Sequence, residues 1–549
     1  MKKFLMTLPP VLMVIAFTAQ EDMSIIWEQK MDHKIVYKGT GLEGSVSFCA
    51  SEKEITVFNN ENASTVWTTK FKDLAPKLSK IDEIIPFWES RVLFLFDRKM
   101  GKDQVACVDL DKGTLLWNTD KFQNLSEDNI VYIPEMEAFA LSLKEAMVMI
   151  KAKTGEELWQ TTKFKGVVGQ YIYNRDDMSA VMVNFVPGGL AALFTGFKNQ
   201  IMRINLTNGN ILWEATYIGR AERKVISREF VYDLDTEGGK VFLRLNGMQV
   251  YDYNTGAQLW SAAFDYTPDG IVGAPANSKR FGVYGSVADP VVSGNNVYVL
   301  DMSNRRSQYI KKYDLNTGKL IWTSPEIKEA RAIPNMYVIG DKIVLQVGGN
   351  VEAQAYIYRR TVDPDGTVSI YEEWRIWYPN VKPYNVQCFN TSDGSQIWES
   401  ERFKKGITNM MTDGTDVFVC SGKALYCLNT ATGADKYEVP LGDDGIGLAT
   451  QILDYNGMIV VVGEKGVATH GYKDGKLINS AKYKSSELED VYGNILIMKT
   501  ASADIAAYDL NTCKYKEFKA KTGATTTLME EGKLVYVYEN KVVTKLSTK

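Results

Sequence analysis

Short apolar runs rich in β-branched residues, separated by polar turns, recur along this chain. IIPFW, RVLFLF, QVACVDL and LLWNT follow one another between residues 84 and 119, and TDVFVC, KALYCL and DKYEVPL between 415 and 441. Runs of this length bounded by Gly, Asp and Asn read as β-strands joined by tight turns. The pattern predicts an all-β chain.

A longer period organises the strands. DLDKGTLLW ends at Trp117, AKTGEELW at Trp159, NLTNGNILW at Trp213, DYNTGAQLW at Trp260, DLNTGKLIW at Trp322 and NTSDGSQIW at Trp398. In each, a glycine stands four residues before the tryptophan: Gly113, Gly155, Gly209, Gly256, Gly318 and Gly394. An apolar strand thus runs into an Asx–Thr–Gly turn, where glycine accepts the positive φ of a tight hairpin. The chain then returns as an outer strand whose indole is expected to dock on a neighbouring sheet, covering much apolar area at little rotamer cost. Degenerate copies end at Trp67 (after Ala63), Tyr437 (after Gly433), Asn479 (after Gly475) and Glu517 (after Cys513). Most gaps between docking positions are 38 to 54 residues, room for four strands and their turns. This predicts a β-propeller of four-stranded antiparallel blades.

Trp27 lies in IIWEQK, an outer strand with no partner strands ahead of it. The C-terminus, TTTLMEEG, KLVYVYEN and KVVTKLS, reads as three strands with no outer strand behind them. Joining the two ends completes a last blade and removes open edges. About eleven blades result, more than the four to eight that usually close one ring. Two rings are therefore favoured over one oversized ring or a false copy near Asn479 or Glu517. No linker marks a boundary within 21–549.

The first twenty residues differ from the rest. Lys2 and Lys3 precede an apolar stretch from Phe4 to Phe17, with small residues near its end. This reads as a secretory signal peptide over 1–20, because Pro9 and Pro10 break the stretch and it is short for a membrane span. An exported protein, periplasmic or secreted, is expected. Its removal leaves 61 basic and 67 acidic residues, a net charge near −6. With no basic stripe, a nucleic-acid partner is excluded. No later segment is apolar enough to span a bilayer.

Candidate chemistry is sparse. The six cysteines show no C-x-x-C spacing and read as buried free thiols, with Cys420 and Cys427 set diagonally across one hairpin. His33 and His470 are the two histidines, too few for a zinc site, and no G-x-S-x-G elbow accompanies them. DPDG at 363–366 and DTEGG at 235–239 lack the full EF-hand pattern and read as turns. No catalytic residue, metal site or cofactor is assigned.

One segment breaks the period. Trp322 to Trp398 is 76 residues, and the excess falls at 350–384. Two aromatic strands flanking the PDG turn predict a long projecting hairpin. Tyr356, Tyr358, Tyr371, Trp374, Trp377 and Tyr378, with Arg359, are the residue types that anchor binding hot spots. A hairpin folded back to cap the ring or bridge two rings is the leading reading, then an arm that binds a protein, then a carbohydrate platform.

The run D-x-N-T-G-x-x-x-W resembles the quinoprotein (PQQ-like) propeller repeat over nearly the whole mature chain. That repeat builds quinone-dependent dehydrogenases and also noncatalytic propellers, such as the lipoprotein of the outer-membrane β-barrel assembly machinery. The resemblance therefore implies the fold and leaves the function to the site. The dehydrogenase marks, an adjacent Cys-Cys pair and a C-x-x-C-H haem site, do not occur. Nor does a lipid-attachment cysteine follow the signal-like segment. The expected function is a noncatalytic exported scaffold binding a protein partner in or beyond the cell envelope. A quinone-dependent dehydrogenase with an atypical site, or a polysaccharide-binding propeller, is the alternative.

Overall fold

The computed structural model describes residues 21–549 except 43, 99–102, 123–124, 126–129, 144–145, 163–166, 186–196, 220–232, 246, 264–277, 283–286, 305–306, 352, 363–367, 378, 401–402, 443, 484–485, 501–504, 522–523, 531 and 549. In some strands, 278–282, 353–362 and 368–377 among them, the backbone alone is described. The expected signal peptide and Tyr378 lie outside the described residues.

Eleven four-stranded antiparallel blades form one ring. Blade 1 comprises Tyr37–Gly39, Val46–Ala50, Glu54–Asn59 and Thr65–Lys70. Blades 2 to 10 follow in chain order, and each pairs its four strands in sequence. Blade 11 joins Thr525–Met529, Leu534–Glu539 and Val542–Ser547 to the N-terminal strand Ser24–Lys30, with Trp27 opposite Lys545. The N-terminal and C-terminal ends of the chain therefore share a blade.

The second and third strands of each blade are covered on both faces by neighbours, which is why they read as unbroken apolar runs. Val92–Asp97 is buried at every residue. Outer strands alternate instead: Thr65–Lys70 leaves only Trp67 and Thr69 partly covered. Each pair of adjacent blades encloses its own core. Phe48, Val57, Leu93 and Val108 pack between blades 1 and 2, and Tyr508, Tyr515, Val460 and Val462 between blades 9 and 10. Eleven such clusters run around the molecule. The last of them packs Tyr536 and Val543 of blade 11 against Cys49 and Phe58 of blade 1.

This closed chain of interfaces corrects the expectation of two rings. Blade number is set by the tilt between neighbouring sheets, which the repeat period does not encode, and here the tilt closes a single large circle. The hairpin consequently has no second ring to bridge.

Antiparallel pairing gives the ring two different faces. Turns after the first and third strands emerge on one face. Turns after the second strand, and the crossovers between blades, emerge on the other. The first strands are innermost, since those of neighbouring blades approach one another, as Val167–Asn174 does Asp233–Glu237.

Candidate functional site

The repeated turn builds a docking seat at the blade boundaries. In blade 2 the Gly113 amide donates to Asp109 O (2.9 Å), and in blade 6 the Gly318 amide donates to Asp314 O (2.8 Å). Asp314 Oδ1 accepts the Asn316 and Thr317 amides and the Thr317 hydroxyl, an Asx turn that accounts for the Asx–x–x–Thr–Gly pattern. The Thr317 amide, then its hydroxyl, hold the Asp314 carboxyl below the usual aspartate value, as those of Thr255 do for Asp252.

Every tryptophan of the series donates its Nε1–H to the backbone carbonyl three residues before the turn glycine of the next blade. Trp67 reaches Leu110 O (2.9 Å), Trp117 reaches Ala152 O (2.9 Å) and Trp159 reaches Leu206 O (2.9 Å). Trp213 reaches Tyr253 O (2.7 Å), Trp260 reaches Leu315 O (2.7 Å), Trp322 reaches Thr391 O (3.2 Å) and Trp398 reaches Thr430 O (2.8 Å). Trp27 closes the circle on Asn60 O (3.0 Å), and the Tyr437 hydroxyl makes the same contact with Tyr472 O (2.9 Å). Sequence reasoning gave the glycine one duty and missed its second. A Cβ on Gly113 would stand 2.5 Å from the Trp67 ring, and one on Gly256 2.5 Å from the Trp213 ring. The glycine is bare because the neighbouring indole lies on it.

The opposite face carries the irregular parts. Blade 7 leaves its second strand at Lys342–Asn350 and re-enters at Asn380–Asn390. Between them Ala353–Val362 and Val368–Trp377 pair in unbroken register, so the predicted hairpin is present. Tyr356 lies opposite Trp374, Tyr358 opposite Glu372, Arg359 opposite Tyr371, and Ala353 opposite Trp377. A third strand, Ser278–Gly282, from the crossover between blades 5 and 6, pairs with Ala353–Val362. That second insertion was missed, although the 62 residues from Trp260 to Trp322 were its signal.

The hairpin's root is tied down. Gly348 and Gly349 take φ of 72° and 92°, and a Cβ on Gly348 would lie 1.7 Å from Pro383 O. Asn350 Nδ2 donates to Thr450 O of blade 9 (2.8 Å), and Asn380 Nδ2 to Asn350 Oδ1 (2.5 Å) and Ile407 O (3.2 Å). Buried Gln346 donates to Gly348 O and Thr408 O and accepts the Met410 amide. The hairpin thus leaves the ring from a fixed base.

The titratable groups singled out from sequence are packed into the blades. His33 Nε2 meets Thr56 Oγ1 (3.1 Å) and its Nδ1 meets Lys34 O (3.2 Å). His470 is fully buried, with Nδ1 donating to Gly475 O (2.9 Å) and Nε2 3.3 Å from Asp444 Oδ2. Cys420 lies opposite Leu425 and Cys427 opposite Phe418, a diagonal placement. Burial pushes the Cys388 and Cys427 thiols up to about 12, far from nucleophilic thiolates. Gly238 and Gly239 of DTEGG form a positive-φ turn, whereas DPDG lies outside the described residues. Among the described residues no three His, Cys, Asp or Glu side chains converge to hold a metal ion. No described helix is long and apolar enough to cross a membrane.

A comparison with curated proteins finds no match. Among solved structures, BamB from Moraxella catarrhalis is 15% identical, over 69% of this chain and 92% of that one, with a TM-score of 0.29. A computationally designed protein, Ika8, is 13% identical over 69% and 96%, with a TM-score of 0.34. The C-terminal WD40 domain of Sif2 is 11% identical over 76% and 96%, with a TM-score of 0.36. Similarity at this level carries no functional information. A family profile described as outer membrane protein assembly factor BamB, by contrast, matches residues 51–236, 198–355 and 384–517, most of the chain. By its repeats, from the Trp67 seat to the Tyr437 seat, the chain belongs to that family of PQQ-like propellers.

Proposed function

We propose that this protein is a noncatalytic scaffold of the cell envelope, and that the crossover face with its aromatic hairpin binds another protein. The observation that carries the reading is the asymmetry of the ring. On one face the turns after the third strands repeat a single form, while the other face holds connections as different as two residues (422–423) and twenty-nine (351–379) on a rigid base. Variable loops on a fixed frame are where binding residues concentrate. Family membership and the signal-like N-terminus favour the envelope, and Tyr356, Tyr358, Arg359, Tyr371, Trp374, Trp377 and Tyr378 supply the anchor chemistry.

The test is affinity capture from cross-linked envelopes with the wild type and a Trp374→Ala/Trp377→Ala double variant. The variant should lose specific partners recovered by the wild type while keeping its melting temperature. Equal recovery by both proteins defeats the hairpin as binding arm. A melting temperature raised by pyrroloquinoline quinone with calcium defeats the noncatalytic reading.

A further inference from the structure

A blade's outer strand is an open edge, and open edges recruit other strands unless something blunts them. In ten of the eleven blades the residue just before the docking position is the extra residue of a β-bulge, as at Val66, Leu158, Leu212, Ile321 and Ile478. A bulge breaks the ladder and twists the edge away from pairing. Blade 10 alone has an outer strand, Lys514–Phe518, in unbroken register with its neighbour. That edge is covered by the chain's own Glu21–Asp22, which pairs with Lys516 and Glu517, and the Met23 amide donates to Glu517 O. Ser278–Gly282, at one side of the hairpin sheet, is short and irregular between Ser278 and Arg280.

Val368–Trp377 at the other side is different. It pairs with Ala353–Val362 over ten residues without a bulge, and no described strand occupies its second edge. A molecule that guards its whole outer rim leaves this long edge regular.

We propose that this edge joins two copies of the protein, Val368–Trp377 of one pairing antiparallel with Val368–Trp377 of the other about a two-fold axis at Trp374. The sequence chooses the register. A two-fold axis normal to a sheet keeps each residue on the same face in both copies, so the residue on the axis meets itself. With Trp374 there, Glu373 stands opposite Arg375 twice and Tyr371 opposite Trp377 twice. Opposite charges and aromatic pairs directly across an antiparallel ladder are stabilising, and like charges there are destabilising. Centring on Glu372, Glu373 or Arg375 sets a like-charged pair on the axis. The joined hairpin sheets would form one six-stranded sheet across the dimer. The inference rests on reading this face as protein-binding and names a second copy as the partner of its free edge.

Sedimentation of the mature chain over a wide concentration range tests the proposal. A dimer should form, and Glu373→Arg or Arg375→Glu alone should weaken it at least tenfold by setting like charges opposite. The double variant Glu373→Arg/Arg375→Glu should restore the dimer. Within one copy these positions oppose Ile357 and Ala355, so the swap creates no new opposed charge pair there. A monomer at every concentration, or a double variant no tighter than the singles, overturns self-pairing. A monomer that still captures its envelope partners through Trp374 and Trp377 leaves the scaffold reading intact, so the two claims fail separately.

Discussion

The two faces of the ring are made from the same blades and are built to opposite rules. On the turn face each third strand ends in a glycine of φ +62° to +75° from Gly113 to Gly475, and the preceding blade's aromatic side chain lies on that glycine. On the crossover face the connections follow no common length: 31–36 links blades 11 and 1, whereas 264–290 links blades 5 and 6. The difference follows from what each connection must do. A turn that also seats a neighbour's indole fixes the tilt between two sheets, and an error in it would propagate around a closed circle. A crossover need only span its gap. Stability should therefore concentrate on one face and binding on the other.

The largest expected effect falls on the seats. Trp213 is 7% exposed, packs with Val181, Val241 and Tyr251 between blades 4 and 5, and donates to Tyr253 O. Trp213→Ala should cost about 3–5 kcal/mol by the usual scale for large-to-small core changes, read as a lower midpoint in denaturant. Joining 350 to 380 in place of the hairpin should leave that midpoint almost unmoved. Equal losses in the two variants would break the division between the faces.

A smaller effect separates the glycine's two duties. Gly256 and Gly239 both belong to blade 5 and have nearly the same φ, +70° and +73°. A Cβ on Gly239 meets nothing within 4 Å, whereas one on Gly256 lies 2.5 Å from the Trp213 ring. Gly239→Ala should cost only the left-handed backbone penalty, about 1–2 kcal/mol. Gly256→Ala should add roughly 1–3 kcal/mol of overpacking. Matching losses at the two sites would show that the indole yields and that the seat is not tight.

Much of this architecture was written into the sequence in a form that can be read. The Gly-to-Trp offset marks the end of each third strand and the docking residue of each fourth, so blades and closure follow from it. Ring number was not legible, because inter-sheet tilt depends on the depth to which Trp67 or Trp213 sinks, and no period records that. Gly113 looked like a turn residue because a positive φ already explains glycine; the indole above it comes from 46 residues earlier in the chain. The bulges at Val66 and Leu158 were hidden too, since an extra residue in an outer strand leaves the local pattern intact. For the hairpin the aromatic composition was evident, but its third strand, Ser278–Gly282, comes from a different crossover and begins 75 residues before Ala353.

The smallest effect lies in acid, on the turn face itself. The residue four before the turn glycine is Asp at 252 and 314 but Asn at 205, 390 and 429, so both side chains can cap the turn. Only the aspartates titrate. The carboxyls of Asp252 and Asp314 are held below the ordinary aspartate value of about 3.9 by amide and hydroxyl donors from Thr255 and Thr317. A depressed folded pKa stabilises the native state fully above the unfolded value, and that stabilisation is lost as pH falls through the folded value. Asp252→Asn/Asp314→Asn should therefore melt close to or slightly below the wild type at pH 7. Its deficit should shrink as the pH is lowered from about 5 towards 3, because the wild type alone gives up its charged caps there. A deficit that stays constant or grows over that range would mean that the caps work by shape alone, and the charge on Asp252 and Asp314 would have no part in holding the turn face.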